Sequence, residues 1–348
     1  MPPLPAEDID LILARTGTLW EEIRGSRLFL TGGTGFFGCW LVESFIAANC
    51  RFDLHAEVTV LTRSPKAFLE KCPHLANDPS LSFVCGDVRN FEFPSGDFPF
   101  VIHAATEASA KLIAEEPLRM LATIIEGTTR CLDFASSHGT KKFLLTSSGA
   151  VYGEQPASIT HISEDYSGGP NPLDPASVYS EGKRAAELMC AAYGATHPIE
   201  CKIARCFAFV GPHLPLDTHF AIGNFIRDAM QGESIRVNGD GTPKRSYMYA
   251  ADLTIWLWTI LFQAPPMVAF NVGSDQAVSI AELAHAVIAA TGSSASVRIS
   301  QPVSEISRIR QYVPSVAKAK QQLGLMCEVT LEDAIRRTAA WHGYPLKS

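Results

Sequence analysis

An apolar run, Leu28-Phe29-Leu30-Thr31, feeds directly into Gly32-Gly33-Thr34-Gly35-Phe36-Phe37-Gly38, and a helical pattern follows from Cys39 to Ala48. A strand that becomes a helix through Gly-x-x-Gly-x-x-Gly leaves few folds open. The glycines permit a tight turn and a close backbone approach, and the amino end of the helix attracts a pyrophosphate. In this context the motif reads as a dinucleotide-binding turn; the alternative is a glycine-rich turn with no ligand. Further apolar strands are expected at Val58–Thr62, Leu81–Cys85, Phe100–His103, Phe143–Ser147, Ile199–Ala204 and Val268–Asn271, with helical stretches between most of them. Strands that are apolar throughout and spaced by helices form a parallel sheet covered on both faces. The expected class is α/β, a doubly wound parallel sheet whose ligands lie at the carboxyl edge of the strands.

At 348 residues the chain exceeds one small core, so a large domain with a smaller companion is expected. A net charge of -7 and an isoelectric point near 5.8, with no basic tail or stripe, exclude a bulk nucleic-acid binder. A local basic pocket for phosphates stays open. The nine cysteines are dispersed without C-x-x-C pairs and the histidines lack metal-ligand spacing, so reduced thiols in a cytoplasmic protein and no metal site are expected. Residues 1–8 carry neither a basic n-region nor an apolar h-region, and the longest apolar run, Ile255 to Phe262, is too short to span a bilayer. No signal peptide and no membrane partner are expected. Residues 8–24 read as an imperfect amphipathic helix, a packing appendage rather than a functional arm.

The stretch Ser177-Val-Tyr-Ser-Glu-Gly-Lys183 opens another helix. Tyr179 and Lys183 are four apart and share one face, one turn above the other. An ammonium held near a phenol stabilises the phenolate and lowers its pKa toward working pH. Such a tyrosine can take or return a proton at a hydroxyl while a hydride leaves the same carbon. Taken alone, the spacing is equally that of a solvated helix face. At the end of the second strand a carboxylate would hydrogen-bond the adenine ribose and favour NAD; the chain has Thr62-Arg63-Ser64 there instead. A guanidinium with hydroxyls suits a 2′-phosphate, which leans the reading toward NADP, against an exposed arginine with no ligand. After the third strand, Asp87 either accepts the adenine amino group or serves a turn.

Taken in order, Gly32-x-x-Gly35-x-x-Gly38, Asp87-Val88, His103-Ala104-Ala105, Thr146-Ser147-Ser148 before Val151-Tyr152-Gly153, and Tyr179-x-x-x-Lys183 resemble one family. It is that of the extended short-chain dehydrogenases/reductases, specifically the nucleotide-sugar epimerases/dehydratases, and the resemblance covers roughly residues 27 to 340. It implies a Rossmann-type fold with a smaller C-terminal substrate-binding lobe. Residues 1–26 would be a helical extension, 27–210 with about 248–275 the NAD(P)-binding domain, and 211–247 with 276–348 the lobe. Tyr179 would be the acid/base, Lys183 would bind the nicotinamide ribose, and Ser148 would orient the reacting sugar oxygen. NAD(P) is expected against Gly32, Gly35, Phe36, Phe37, Gly38, Arg63, Asp87, Val88, Ala104, Ala105, Lys183 and Phe207. Glu107, Ser148, Asn224, Arg245 and Arg310 are expected on a nucleotide-diphosphate sugar, the arginines because a planar fork matches phosphate oxygens. The helix of about Leu118–His138 and the one carrying Tyr179 would form a four-helix interface in a homodimer.

The departures bear on the reaction. Dehydratases of the family place an acid pair after the Ser/Thr, and UDP-glucuronate decarboxylases place a Glu one residue before the Val; here those positions are Gly149 and Ala150. Transient oxidation at C4 followed by epimerisation is therefore the leading expectation. A 4-keto-sugar reductase or 4-dehydrogenase is the nearest rival, needing only Ser148, Tyr179 and Lys183. A decarboxylase comes next, because Tyr179-Ser-Glu-Gly-Lys183-Arg184 is similar to the decarboxylase form of the helix. A non-catalytic dinucleotide sensor would ordinarily have lost the tyrosine or the lysine. Glu107 matches a glutamate of dTDP-glucose dehydratases or is a plain loop carboxylate. Ala208 and Thr123 stand where many members have asparagine, and His213 and His219 either face substrate or are plain loop residues.

Overall fold

The computed structural model describes residues 1–106, 110–218, 220–302 and 310–345. The chain divides into two units, one of residues 1–151, 170–205 and 254–270, the other of 152–169, 206–253 and 271–348.

The first unit is built on β1 (Arg27–Thr31), β2 (Glu57–Thr62), β3 (Leu81–Cys85), β4 (Phe100–His103), β5 (Lys142–Ser148) and β6 (Glu200–Cys206). With the strand Ala269–Val272 they form a seven-stranded sheet in the order Ala269–Val272, β6, β5, β4, β1, β2, β3. The registers β1–β2, β1–β4, β2–β3 and β4–β5 are all parallel. The order reverses between β1 and β4, which makes the carboxyl end of β1 the crevice where such sheets take ligands. β4 is buried throughout and β1 nearly so, as a sheet covered on both faces requires, whereas the edge strand β3 is half open.

The helices of this unit include α1 (Ala6–Thr16), α2 (Phe36–Phe52), α3 (Pro65–Lys71), α4 (Ala110–Glu115), α5 (Pro117–Ser137) and α6 (Val178–Thr196), and it holds most of helix Ala250–Gln263. α5 starts on Pro117, where the missing N–H leaves no bond unmade, and turns Met120, Ile124, Cys131, Leu132 and Phe134 inward. Phe134 meets Phe29, Phe98 and Phe91 at centroid distances of 4.5, 5.2 and 5.9 Å. Each such pair adds about 0.5–1.5 kcal/mol beyond the area it buries. The expected helix over 8–24 ends at Thr16 and gives way to a tighter 3-10 turn, Gly17–Ile23. That turn buries Trp20 on Trp258 at 4.6 Å, and the Trp258 Nε1–H donates to Ser44 Oγ at 2.9 Å. The extension packs as part of the first unit.

In the second unit the strands are short: β7 (Phe209–Val210), β8 (Ile235–Val237), β9 (Lys244–Arg245) and β10 (Met248–Tyr249). β7 pairs with β10, and β8 with Val297–Ile299. β9 lies between Val278–Ser279 and Gln311–Tyr312. Helix α7 (Ala221–Gln231) is joined by helix Ile280–Thr291, which opens on a capping box of Ser279 and Glu282. Residues 152–169 group here and not with the preceding strand. The buried Asn271 accounts for it: its Oδ1 accepts from Tyr152 Oη at 2.7 Å, its Nδ2 donates to Ile162 O at 2.9 Å, and its N donates to Glu164 Oε1 at 2.8 Å.

Candidate active site

The glycine turn sits where the sequence places it, between β1 and α2. Gly32 has φ +75°, and a Cβ there would lie 2.5 Å from Ala104 O; one on Gly38 would lie 2.2 Å from Gly32 O. No side chain fits either position, because protein backbone already lies there, so the tight turn between β1 and α2 depends on these glycines. A cavity of about 540 Å³ opens beside the turn, lined by Gly32, Gly35, Arg63, Asp87, Val88, Ala104 and Ala105 among others. Phe36, Phe37 and Gly38 lie off its wall; Phe36 and Phe37 pack edge to face at 5.7 Å and Gly38 is buried. A tight glycine turn at the amino end of α2, beside a cavity of this size, fits a dinucleotide.

The cavity wall carries basic side chains. Arg63, Ser64 and Lys71 line it, neither cation forms an ion pair with a carboxylate among the described residues, and the charge on Arg63 helps to lower the Asp87 carboxyl. Asp87 is engaged by Arg89, whose Nε donates to Oδ1 at 2.8 Å and whose Nη2 donates to Oδ2 at 3.3 Å. That bonding holds the Asp87 carboxyl below its ordinary range. The carboxylate on the cavity wall is thus a salt-bridged one.

The three residues expected to be catalytic lie on β5 and α6. Ser148 closes the strand, nearly buried, its Oγ accepting from Ala150 N at 3.2 Å. Tyr179, half-buried, is in the first turn of α6, and Lys183 is one turn on. Lys183 is only 3% exposed, and its Nζ donates to Thr146 O at 2.8 Å and to Thr106 Oγ1 at 3.0 Å. Below, His103 Nδ1 lies 2.8 Å from Thr31 Oγ1, which also accepts from Ala105 N at 3.2 Å. Burial, and then the charge on Lys183, push the imidazole down to about 3, so it stays neutral. Gly149 and Ala150, in the turn just after Ser148, carry no ionisable group.

In the second unit Arg245, on β9, and Arg310 line a cavity of about 530 Å³ together with Glu154 and Tyr312. The sequence alone names both arginines, and the strand pairing brings them together, with Lys244 N donating to Arg310 O at 2.8 Å. Asn224 is not on this wall; it lies in α7, where its Oδ1 accepts from Arg227 at 3.3 Å. The Phe207 ring packs on Tyr312 at 4.7 Å. Ala208 has only its backbone to offer, and its carbonyl accepts from Met248 N at 3.0 Å. Thr123 Oγ1 bonds back to Arg119 O at 2.8 Å within its own helix. His213 is buried against Trp341 at 4.6 Å, which removes it as a substrate-facing group; Glu107 and His219 lie outside the described residues. Thr106 and Glu187 are site residues that sequence reasoning missed. Their signals were a hydroxyl directly after His103-Ala-Ala and a carboxylate one turn beyond Lys183.

A model of the NAD dependent epimerase/dehydratase family matches residues 28–273. The chain belongs to that family. UDP-glucuronic acid decarboxylase 1 of Xenopus tropicalis is 30% identical over 312 residues, covering 90% of this chain and 71% of that protein. UDP-glucuronic acid decarboxylase 6 of Arabidopsis thaliana is 30% identical over 312 residues, 89% and 86% of the two chains. Among solved structures, UDP-N-acetylglucosamine 4-epimerase from Methanobrevibacter ruminantium M1 superposes with a TM-score of 0.79 at 22% identity, covering 92% and 98%. DesIV, a dTDP-glucose 4,6-dehydratase from Streptomyces venezuelae with NAD bound, gives 0.75 at 25% identity, covering 91% and 96%. This member of the epimerase/dehydratase family is therefore an NAD(P)-dependent enzyme on a Rossmann-type sheet, as the motifs led one to expect. Among the described residues no helix is long and apolar enough to cross a membrane.

Proposed function

We propose that this enzyme oxidises a nucleotide-diphosphate sugar at C4 and reduces it again with inverted configuration, as an epimerase. The observation that carries the reading is Lys183, held by Thr146 O on β5 two residues before Ser148 and one turn from Tyr179, while Gly149 and Ala150 bring no further acid or base. Bound NAD(P) supplies the hydride acceptor and, on return, the donor. Ser148 orients the C4 oxygen. Tyr179, ionised under the Lys183 charge, takes the C4 hydroxyl proton as oxidation proceeds and gives it back when the carbinol re-forms. Lys183 keeps its proton throughout and stabilises the phenolate. Arg245 and Arg310 hold the diphosphate, for which guanidinium forks are suited.

A second reading follows from the curated relatives, which are UDP-glucuronic acid decarboxylases at about 30% identity. On a sugar with a C6 carboxylate, the same C4 oxidation creates a β-keto acid, which loses carbon dioxide with little protein help. Both readings use the same residues, and the substrate decides between them.

Arg63 and Lys71 favour NADP, since two cations on the cavity wall suit a 2′-phosphate. The nine free cysteines fit a cytoplasmic setting. Leu118 and Leu188, 78% and 71% exposed on α5 and α6, support a homodimer through those helices, for which a monomeric mass in light scattering would be fatal. Purified enzyme incubated with a panel of nucleotide sugars tests the reaction. An epimer at unchanged mass with no net change in nicotinamide absorbance is the expected result. Release of carbon dioxide from a uronate substrate establishes the second reading, and stoichiometric consumption of reduced cofactor would overturn both in favour of a 4-keto-sugar reductase.

A further inference from the structure

We infer that Thr106 is a positioning residue for Lys183, setting where the ammonium meets the dinucleotide. The inference rests on the proposed roles of Lys183 and Tyr179. A buried ammonium needs acceptors, and their directions determine where it sits. Lys183 Nζ has one on β5, Thr146 O at 2.8 Å, and one on the segment after β4, Thr106 Oγ1 at 3.0 Å. The hydroxyl is oriented for that task. Its single proton is donated to Ala105 O at 2.7 Å, so only lone pairs remain for the ammonium.

The segment that carries Thr106 is itself fixed. Ala104 N donates to Thr31 O and Ala105 N to Thr31 Oγ1, both at 3.2 Å, while Thr106 N donates to Ala104 O at 3.1 Å. Thr106 also lines the cavity beside the glycine turn. The lysine is therefore held from β5 and from the segment after β4, where the flexible stem alone would leave it to wander. Thr106 takes no proton in the reaction. It acts through Lys183, and its loss should appear wherever Lys183 acts and nowhere else.

The test is a double-mutant cycle on dinucleotide affinity, which needs no sugar substrate. NADP and NAD are each titrated into the full-length chain as wild type, Thr106→Val, Thr106→Ser, Lys183→Met and the Thr106→Val/Lys183→Met pair, with binding followed by fluorescence. Thr106→Val is close to isosteric and should bind about tenfold more weakly, the scale of one hydrogen bond to a charged group. Thr106→Ser should stay within about twofold of wild type, and Thr106→Val should add nothing once Lys183 is Met. An equal loss in the Lys183→Met background would mean that the hydroxyl touches the cofactor or merely shapes the loop, and would overturn the inference. So would wild-type affinity in Thr106→Val, or a serine variant as weak as the valine one. If Lys183→Met itself binds as wild type, the proposed role of the lysine falls and that of Thr106 with it. If Lys183→Met weakens binding while Thr106→Val does not, only Thr106 is wrongly assigned.

Discussion

Glu187 holds Arg205 through both carboxylate oxygens, with Nη2 2.7 Å from Oε2 and Nε 3.0 Å from Oε1, and accepts the Ser147 hydroxyl at 2.5 Å. Three elements meet there: α6 through Glu187, β5 through Ser147 and β6 through Arg205. Glu187 is one turn beyond Lys183, so the pair fixes the rotation of the helix that presents Tyr179 and Lys183. Both side chains are largely shielded, at 17% and 15% exposure. Glu187→Ala removes both carboxylate bonds to the guanidinium and should cost about 3 kcal/mol in urea unfolding, the lower part of the range for breaking a shielded ion pair. Glu187→Gln keeps one acceptor and should lose less. A loss below about 1 kcal/mol in the alanine variant would show the contact to be dispensable.

Tyr179→Phe removes one oxygen from a half-buried ring that packs on the aromatic core. Folding and dinucleotide affinity should survive. Turnover of the sugar nucleotide should fall on the order of 10²–10⁴-fold, the span for a positioned acid/base, with KM little changed. Turnover within about threefold of wild type would remove Tyr179 from the chemistry.

The parts legible in the sequence are those whose signal is local. The glycine turn announces itself within seven residues because Gly32 and Gly38 must each lie against backbone, and Tyr179 and Lys183 are neighbours on one helix face. What escaped notice depends on chain crossings. Thr146 O and Thr106 Oγ1, which accept from Lys183, lie 37 and 77 residues away in sequence, and nothing near Thr106 says which lysine will reach it. Asp87 lies on the cavity wall, yet its pairing was not legible. Arg89, two residues on, turns an available carboxylate into half of an ion pair, and a strand-end motif says nothing about that side-chain rotation. Asn271 is the same case in the second unit, where it draws residues 152–169 away from the strand they follow.

Cofactor choice should reside in Arg63 and Lys71. Replacing both, as Arg63→Asp with Lys71→Ala, removes both cations from the cavity wall and supplies a carboxylate for a ribose hydroxyl. The ratio of dissociation constants for NADP and NAD should move toward NAD by about 10²-fold, as expected for losing charge-assisted bonds to a phosphate. Equilibrium titration of both dinucleotides against wild type and variant measures it. An unchanged ratio would mean that these cations face solvent only.

His103 gives stability a pH dependence whose sign follows from its neutral state. In the fold its pKa is pushed down to about 3, first by burial and then by the charge on Lys183, against 6.5 in its absence. Between those values the unfolded chain binds a proton that the native imidazole refuses, so unfolding is favoured as pH falls. The contribution is whole above about pH 6.5 and erodes toward about pH 3, by up to about 1.4 kcal/mol for each pH unit. Urea unfolding at a series of pH values, compared between wild type and His103→Gln, isolates it from the carboxylates. The variant loses some stability at every pH because the ring's contacts with Thr31 and Thr128 change, but the difference between the two proteins should shrink steadily as the medium is acidified. A difference that stays constant from neutral to mildly acidic pH would mean that His103 takes up its proton within the folded protein, contrary to its sealed position beneath Ala104 and Ala105.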